Sequence, residues 1–130
     1  MKKIKVVAAI IYHNDQILCV QRGPSKYSYI HHKYEFPGGK VEEGETNEVA
    51  LKREINEELS MNIENLTFLL QIEHQYPDFH ITMDCYKCQV ETKDLMLTEH
   101  IDYKWLSKNE LENLDWAEAD VPAVKELIKN

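Results

Sequence analysis

The sequence predicts an α/β (α+β) fold in which a mixed β-sheet lies between helices, an α/β/α sandwich. Short apolar, β-branched runs alternate with two main segments of helical pattern. The length of 130 residues is enough for one hydrophobic core and too small for two. We therefore expect residues 1–130 to form a single domain without linkers or internal repeats.

The first half of the chain predicts a hairpin, a loop and a helix, in that order. Residues 6–12 and 17–20 are apolar and largely β-branched, and the polar turn between them indicates two paired strands. Residues 22–34 lose this pattern and contain glycine, proline and serine, which indicates an exposed loop. After a glycine-rich bend, Thr46 is a suitable N-cap for a helix that we expect to end near Leu59.

The second half predicts three strands and two short helices. Residues 66–75 and 79–90 read as strands joined at a Pro-Asp turn, and residues 103–106 form a shorter strand. Residues 107–110 have the form of a capping box at the start of a short helix. A last helix is expected over residues 120–129, with proline in its first turn.

The acidic balance of the chain limits the ligands that it binds. A net charge of −8, from 23 acidic and 15 basic residues, repels polyanions and argues against binding to long nucleic acid. A small phosphorylated ligand remains compatible with this charge if a cation mediates. The apolar stretch at residues 6–11 is too short for a signal or membrane segment, so we expect a cytoplasmic protein that does not contact membranes.

The three cysteines fit a reducing compartment better than a disulfide framework, since Cys19, Cys85 and Cys88 cannot all pair with one another. Cys85 and Cys88 have the spacing of a zinc or redox pair, but they lie in an alternating run at residues 81–90. Positions three apart in a strand point to opposite faces. We expect both to be ordinary strand residues, because no second ligand pair completes a zinc site.

The first predicted helix gathers three carboxylates, Glu54, Glu57 and Glu58, on one face. The adjoining side is an apolar stripe, Leu51, Ile55 and Leu59. Like charges at these spacings destabilise a helix by about 0.2–0.5 kcal/mol per pair, so an offsetting partner is expected. Mg²⁺, with Mn²⁺ as a substitute, is the natural candidate, and the alternative is a solvated acidic surface. Arg53 lies one turn before Glu57 and is placed to orient that carboxylate.

The spacing within residues 39–61 resembles the signature of the Nudix hydrolase family, G-x5-E-x7-R-E-U-x-E-E-x-G-U, where U is apolar. The chain matches it at Gly39, Glu45, Arg53, Glu54, Ile55, Glu57, Glu58 and Met61. The one departure is Ser60, which stands where the family has a glycine that ends the helix in a left-handed conformation. Serine adopts that conformation at some cost, and Asn62 is the other candidate for it.

Residues outside the signature resemble the MutT branch of the family, which includes 8-oxo-dGTP diphosphatases and CTP pyrophosphohydrolases. These residues lie at 6–11, 21–22, 35–40, 99–100 and 119–122, and residues 99–100 precede Trp105. The resemblance implies the Nudix α/β/α sandwich and hydrolysis of (deoxy)nucleoside triphosphates to a monophosphate and pyrophosphate. The implied substrates are oxidised or modified nucleotides, such as 8-oxo-dGTP or 5-substituted (d)CTP, as in sanitation of the nucleotide pool.

The resemblance also implies a metal site and a catalytic set, to which Arg53 belongs. The Gly38 carbonyl and the carboxylates of Glu57 and Glu58 match the family's metal ligands. Glu54 contributes as ligand or base, and Glu99, on a later loop, is an additional ligand or base. The alternative for Glu99 is an ordinary surface glutamate.

Four further residues match family positions near the substrate. Arg22 meets the phosphates or the base edge, or else is a solvated arginine. Phe36 and Tyr76 stack on the base, or else belong to the core. Asp120 accepts hydrogen bonds from amino or imino groups of the base, acts as a helix N-cap, or does both.

Two other functions remain open from the sequence. One is a Nudix hydrolase of another nucleoside diphosphate derivative, such as a nucleoside diphosphate sugar or a dinucleoside polyphosphate. The other is a non-catalytic nucleotide-sensing domain. In each case the expected partner is a small nucleotide, and the protein is a monomer or a homodimer.

Overall fold

The computed structural model describes residues 2–129 and confirms a mixed sheet with helices. The strands are β1 (Lys2–His13), β2 (Gln16–Gln21), β3 (Tyr34–Glu35), β4 (Gly38–Lys40), β5 (Glu64–Gln75), β6 (Phe79–Gln89) and β7 (Asp102–Leu106). The helices are α1 (Asn47–Leu59) and α2 (Val121–Ile128), and 3₁₀ segments cover Lys108–Asn113 and Glu118–Asp120. Within this described range, neither helix is long and apolar enough to cross a bilayer.

The sheet is organised around β1, which pairs with strands on both sides. The strand order is β3-β2-β1-β6-β5, while β4 also pairs with β1 and β7 with β2. Strand β1 runs parallel to β6, from Lys2 opposite Phe79 to Tyr12 opposite Gln89, and antiparallel to β2 and β4. Parallel and antiparallel pairings therefore meet on one strand, as the prediction of a mixed sheet requires.

Two apolar cores lie on opposite faces of the sheet. The side chains that α1 buries in one core are Ala50, Leu51, Ile55 and Leu59. Those that α2 buries in the other are Ala123, Val124 and Leu127. Cys85 and Cys88 belong to different cores, which confirms that they are strand residues pointing to opposite faces. Burial raises the pKa of both thiols to about 12, so neither is poised for redox or metal chemistry.

Helix α1 begins and ends through local backbone chemistry. Thr46 is the N-cap, as predicted, and its Oγ1 accepts a hydrogen bond from the Val49 N–H at 3.2 Å. At the other end, Ser60 has φ 54° and ψ 40°, and its N–H donates to the Asn56 carbonyl at 3.0 Å. The serine itself therefore takes the left-handed position of the signature glycine, and the alternative that placed Asn62 there is wrong.

The glycine-rich bend forms two short strands that the sequence did not predict. Strand β3 pairs with β2, and β4 pairs with β1 so that Gly38 lies opposite Ala8. An ideal Cβ on Gly38 would lie 1.9 Å from the Val7 carbonyl oxygen, so only glycine fits this close approach. The pairing holds β4 against α1.

Replacing Ser60 by glycine is expected to stabilise the protein. The left-handed conformation costs a non-glycine residue about 1 kcal/mol, and glycine avoids this cost. Part of that gain is offset because glycine also makes the unfolded chain more flexible. The free energy of unfolding, measured by urea denaturation, should therefore rise by about 0.5 kcal/mol in Ser60→Gly. Ser60→Ala keeps the Cβ and should change the free energy of unfolding little. An equal gain in both variants would contradict the assignment of this cost to the left-handed conformation.

Candidate functional site

A cleft of about 950 Å³ opens where β1, β4 and α1 meet the loop at residues 22–33 and the segment at residues 99–100. Its acidic lining residues include Glu35, Glu54, Glu58 and Glu99, which we term the acidic wall. Its apolar lining residues include Ile30, Phe36, Tyr76, Phe79, Ile81 and Met83. The cleft therefore offers hard oxygen atoms and an apolar surface to the same ligand.

Most of the sequence-predicted site residues meet in this cleft. Those that line it are Gly38, Glu54, Glu58, Glu99, Arg22, Phe36, Tyr76 and Asp120. Glu57 and Arg53 lie outside its lining. The Glu57 side chain is 59% exposed, whereas Arg53 is largely engaged by other residues of the signature.

Glu58 is a buried carboxyl group at the centre of the acidic wall. It is 4% exposed and lies in hydrogen-bond contact with Glu54. Burial, followed by the hydrogen bond and charge of Glu54, raises the pKa of Glu58 well above its ordinary value, with smaller contributions from Glu99 and Glu35. Gly39 permits the arrangement, because an ideal Cβ there would lie 2.4 Å from the Glu54 carboxylate.

Arg53 holds the start of the signature against its helix. Its Nε and Nη2 donate to the two Glu45 carboxylate oxygens at 2.7 and 2.9 Å, and its Nη1 donates to Glu54 at 2.9 Å. The contact with Glu57 is longer, at 3.4 Å. The expected contact between Arg53 and Glu57 is therefore present, but the closest partner of Arg53 is Glu45, whose pKa the arginine lowers to about 2.

The donor atoms of this wall fit a hard divalent cation. They are carboxylate oxygens together with the backbone of Gly38, the ligand type that Mg²⁺ prefers. A buried carboxyl group in contact with a second, half-buried one needs either a proton or a cation between them, which is a direct reason for a cation to bind. No three His, Cys, Asp or Glu side chains of residues 2–129 are already grouped as a metal site, since Arg53 engages Glu54 and Glu57 faces outward.

A polar chain that the sequence analysis missed joins Arg22 to the acidic wall. Glu35 accepts from Arg22 Nη1 at 3.2 Å through Oε1 and lies 3.0 Å from His100 Nε2 through Oε2. His100 Nδ1 is buried without a hydrogen-bond partner among the described residues and lies 3.8 Å from Glu58 Oε1. Arg22 is therefore ion-paired at the edge of the cleft, with 41% of its side chain exposed. The sequence signal that could have identified Glu35 and His100 was their position next to residues already singled out. Glu35 directly precedes the glycine-rich bend, and His100 directly follows Glu99.

Asp120 is buried in the cleft wall and bonded to a distant backbone. It is 5% exposed, and its Oδ1 accepts a hydrogen bond from the Phe36 N–H at 3.0 Å. Asp120 is the N-cap residue of α2 by position, as the alternative predicted, but its side chain makes no capping hydrogen bond. Burial, together with the nearby Glu35 charge, raises the pKa of Asp120 well above its ordinary range.

The two predicted stacking residues already have aromatic neighbours. The Phe36 ring lies 4.7 Å from Trp116, and the Tyr76 ring lies 5.0 Å from Tyr29 and 5.3 Å from Phe79, measured between ring centroids. Both are buried yet line the cleft. The Tyr76 hydroxyl also accepts a hydrogen bond from the backbone N–H next to Asp120, at Ala119, so this ring helps to place that carboxyl group.

Comparison with known proteins shows similarity along nearly the whole chain. A family model described as NUDIX domain matches residues 6–126. The 8-oxo-dGTP diphosphatase of Escherichia coli (strain K12) is 30% identical over 98% of both chains. The CTP pyrophosphohydrolase of the same strain is 31% identical over 96% of this chain and 91% of that protein. A solution structure of the DNA mismatch repair protein MutT, a Nudix hydrolase from methicillin-resistant Staphylococcus aureus 252, is 42% identical, with a TM-score of 0.75 over 99% of this chain and 98% of that one.

Glu58→Gln is expected to stabilise the metal-free protein, and more so as pH rises. Because the fold raises the pKa of Glu58, this residue favours folding below its ordinary pKa of 4.5, and that contribution is lost as pH rises toward the folded value. Glutamine stays neutral throughout. Melting temperatures in EDTA from pH 5 to pH 9 should therefore diverge between the two proteins, whereas exposed Glu48→Gln on the same helix should show no such trend. Parallel curves for Glu58→Gln and the unmodified protein would contradict this account.

Proposed function

Because the chain belongs to the Nudix family and is a Nudix hydrolase of the MutT type, we propose that it hydrolyses (deoxy)nucleoside triphosphates to a monophosphate and pyrophosphate. Its substrates under this proposal are oxidised or modified nucleotides, such as 8-oxo-dGTP or 5-substituted (d)CTP. The relatives named as an 8-oxo-dGTP diphosphatase and a CTP pyrophosphohydrolase support this choice. The role is removal of damaged or unwanted nucleotides from the pool.

The composition of the cleft wall is the observation that carries the proposal. A nucleotide combines a polyanionic phosphate chain with a planar aromatic base, and the wall combines carboxylates for a bridging cation with apolar side chains for a base. Arg22 and Lys40 line the same cleft and add positive charge for the phosphates. Glu35 fixes the guanidinium of Arg22 in the cleft through their 3.2 Å ion pair.

Five residues are proposed to hold Mg²⁺, with Mn²⁺ as a substitute: Gly38 through its carbonyl, and Glu54, Glu57, Glu58 and Glu99 through their carboxylates. When bound, the cation supplies neutralisation of the phosphate charge and activation of a water molecule. Its positive charge then offsets the repulsion between the Glu54 and Glu58 carboxylates, so the pair no longer needs a shared proton. Glu54 or Glu99 takes up the proton released by the attacking water, and Arg53 keeps Glu54 oriented from behind.

Asp120 is proposed to read the edge of the base. The Asp120 carboxyl group accepts hydrogen bonds from amino or imino donors on a base edge, and its buried position in the cleft wall fixes where those donors lie. Cytosine presents an amino group, and 8-oxoguanine presents an N1–H and an amino group, so both base edges suit this acceptor, in agreement with the two substrate classes of the relatives. The burial of Asp120 makes an unmatched base costly, because its polar atoms would then lose their partners.

A substrate panel tests the reaction. With Mg²⁺ present, pyrophosphate should form from 8-oxo-dGTP or 5-methyl-dCTP at a higher kcat/KM than from ordinary triphosphates. Preference for nucleoside diphosphate sugars or dinucleoside polyphosphates would support the second enzymatic function. Binding without turnover of any of these compounds would support a nucleotide-sensing domain.

Glu57→Gln tests the assigned metal ligands. We expect kcat to fall by about a hundredfold or more, because charge stabilisation by the cation contributes several kcal/mol to the transition state. The matched control is Glu48→Gln, nine positions earlier and on the opposite side of the same helix, which should keep kcat. Full turnover by Glu57→Gln would argue against this ligand assignment.

Asp120→Asn tests base reading. Since asparagine replaces one acceptor oxygen of the carboxyl group with an amide donor, the ratio of kcat/KM between 5-methyl-dCTP and 8-oxo-dGTP should change by about tenfold or more. Asp115→Asn, which alters an exposed carboxylate paired with Lys33 away from the cleft, should leave the ratio unchanged. An unaltered ratio in Asp120→Asn would assign this residue to structure alone.

A further inference from the structure

The C-terminal end of α1 is capped by a segment that lies about forty residues further along the chain. A helix leaves its last four carbonyl groups without partners inside the helix. Of these, the Leu59 carbonyl accepts from the Met96 N–H at 3.0 Å, and the Glu58 carbonyl accepts from the Thr98 N–H at 3.2 Å. Residues 96–98, which we term the distal cap, therefore complete the helix that carries the acidic wall.

The Thr98 hydroxyl adds a side-chain contact to this cap. Its Oγ1 lies 3.1 Å from the Glu58 carbonyl and 3.3 Å from the Glu57 carbonyl, so its single proton is shared between them. These two carbonyls belong to the residues whose carboxylates are proposed as metal ligands. The hydroxyl thus contacts the backbone of the last turn of α1, which carries Glu57 and Glu58, without lining the cleft.

The residues that follow Thr98 reach the cleft at once. Glu99 lines it together with Glu54 and Glu58. His100, whose side chain is 4% exposed, lies between Glu35 at 3.0 Å and Glu58 at 3.8 Å. Glu99 is therefore held between two anchored neighbours, one on the end of α1 and one inside the polar chain.

We propose that Thr98 is a positioning residue that sets the place of Glu99 relative to the carboxylates of Glu57 and Glu58. The proposal rests on the proposed function and deepens it, because it explains how a loop glutamate and a helix turn form one cation site. The hydroxyl does not touch substrate. It acts by keeping the distal cap in register with the last turn of α1.

Thr98→Val tests the proposal, since valine has nearly the same shape and keeps the backbone hydrogen bond to Glu58. We expect kcat for the best nucleotide to fall about tenfold, as when a group that orients a metal ligand is lost, with KM within about twofold. The Mg²⁺ concentration for half-maximal activity should rise. Thr98→Ser, which keeps the hydroxyl, should restore both values. Thr92→Val is the matched control: the Thr92 hydroxyl lies before the distal cap and accepts from the Asp94 N–H, so this variant should match the unmodified protein.

A second measurement does not depend on turnover. Mn²⁺ added to the nucleotide-free protein should broaden the amide NMR signals of both Glu57 and Glu99, because a paramagnetic ion affects nearby nuclei. In Thr98→Val the broadening should persist at Glu57 and fall at Glu99. Unfolding of Thr98→Val, or unchanged broadening together with unchanged kcat, would overturn the proposal. If the unmodified protein binds Mn²⁺ at both residues yet hydrolyses no nucleotide, the proposed function fails while the positioning role stands.

Discussion

The chemistry of the cleft depends on one buried carboxyl group, whose negative charge is unfavourable unless a proton or a cation offsets it. Glu58 contacts Glu54 inside the cleft wall, where low polarity strengthens their repulsion. The neighbouring structure maintains this pair: Gly39 leaves room for the Glu54 carboxylate, and Arg53 holds its outer side. The apolar stripe of α1, buried beneath, keeps the turn in place although its charges oppose helix formation.

The sequence predicted those features that depend on local chemistry. Thr46 capped the helix where expected, because N-cap hydrogen bonds involve residues three apart. The alternation of strand side chains placed Cys85 and Cys88 in separate cores, because a strand has a period of two residues. The family signature likewise directed attention to Glu54 and Glu58, which do line one cleft.

The features that escaped prediction depend on contacts between distant parts of the chain. Glu35 and His100 are 65 residues apart in sequence, and only the folded sheet brings them together. Asp120 has the local context of an N-cap, yet its side chain bonds to the Phe36 backbone 84 residues away because the cleft wall buries it there. Helical spacing paired Arg53 with Glu57 but gave no information on Glu45, which approaches from the loop before the helix.

The distal cap also affects when, during synthesis of the chain, the last turn of α1 with Glu57 and Glu58 takes its final form. On the ribosome, α1 is synthesised well before residues 96–98, so water must solvate its last carbonyl groups until that segment emerges. The parallel partner of β1 arrives in the same interval, because β6 ends at Gln89. The cleft therefore forms only after the C-terminal third of the chain has been synthesised. A shorter nascent chain would contain the signature residues but would lack residues 96–98, which bring Glu99 to them.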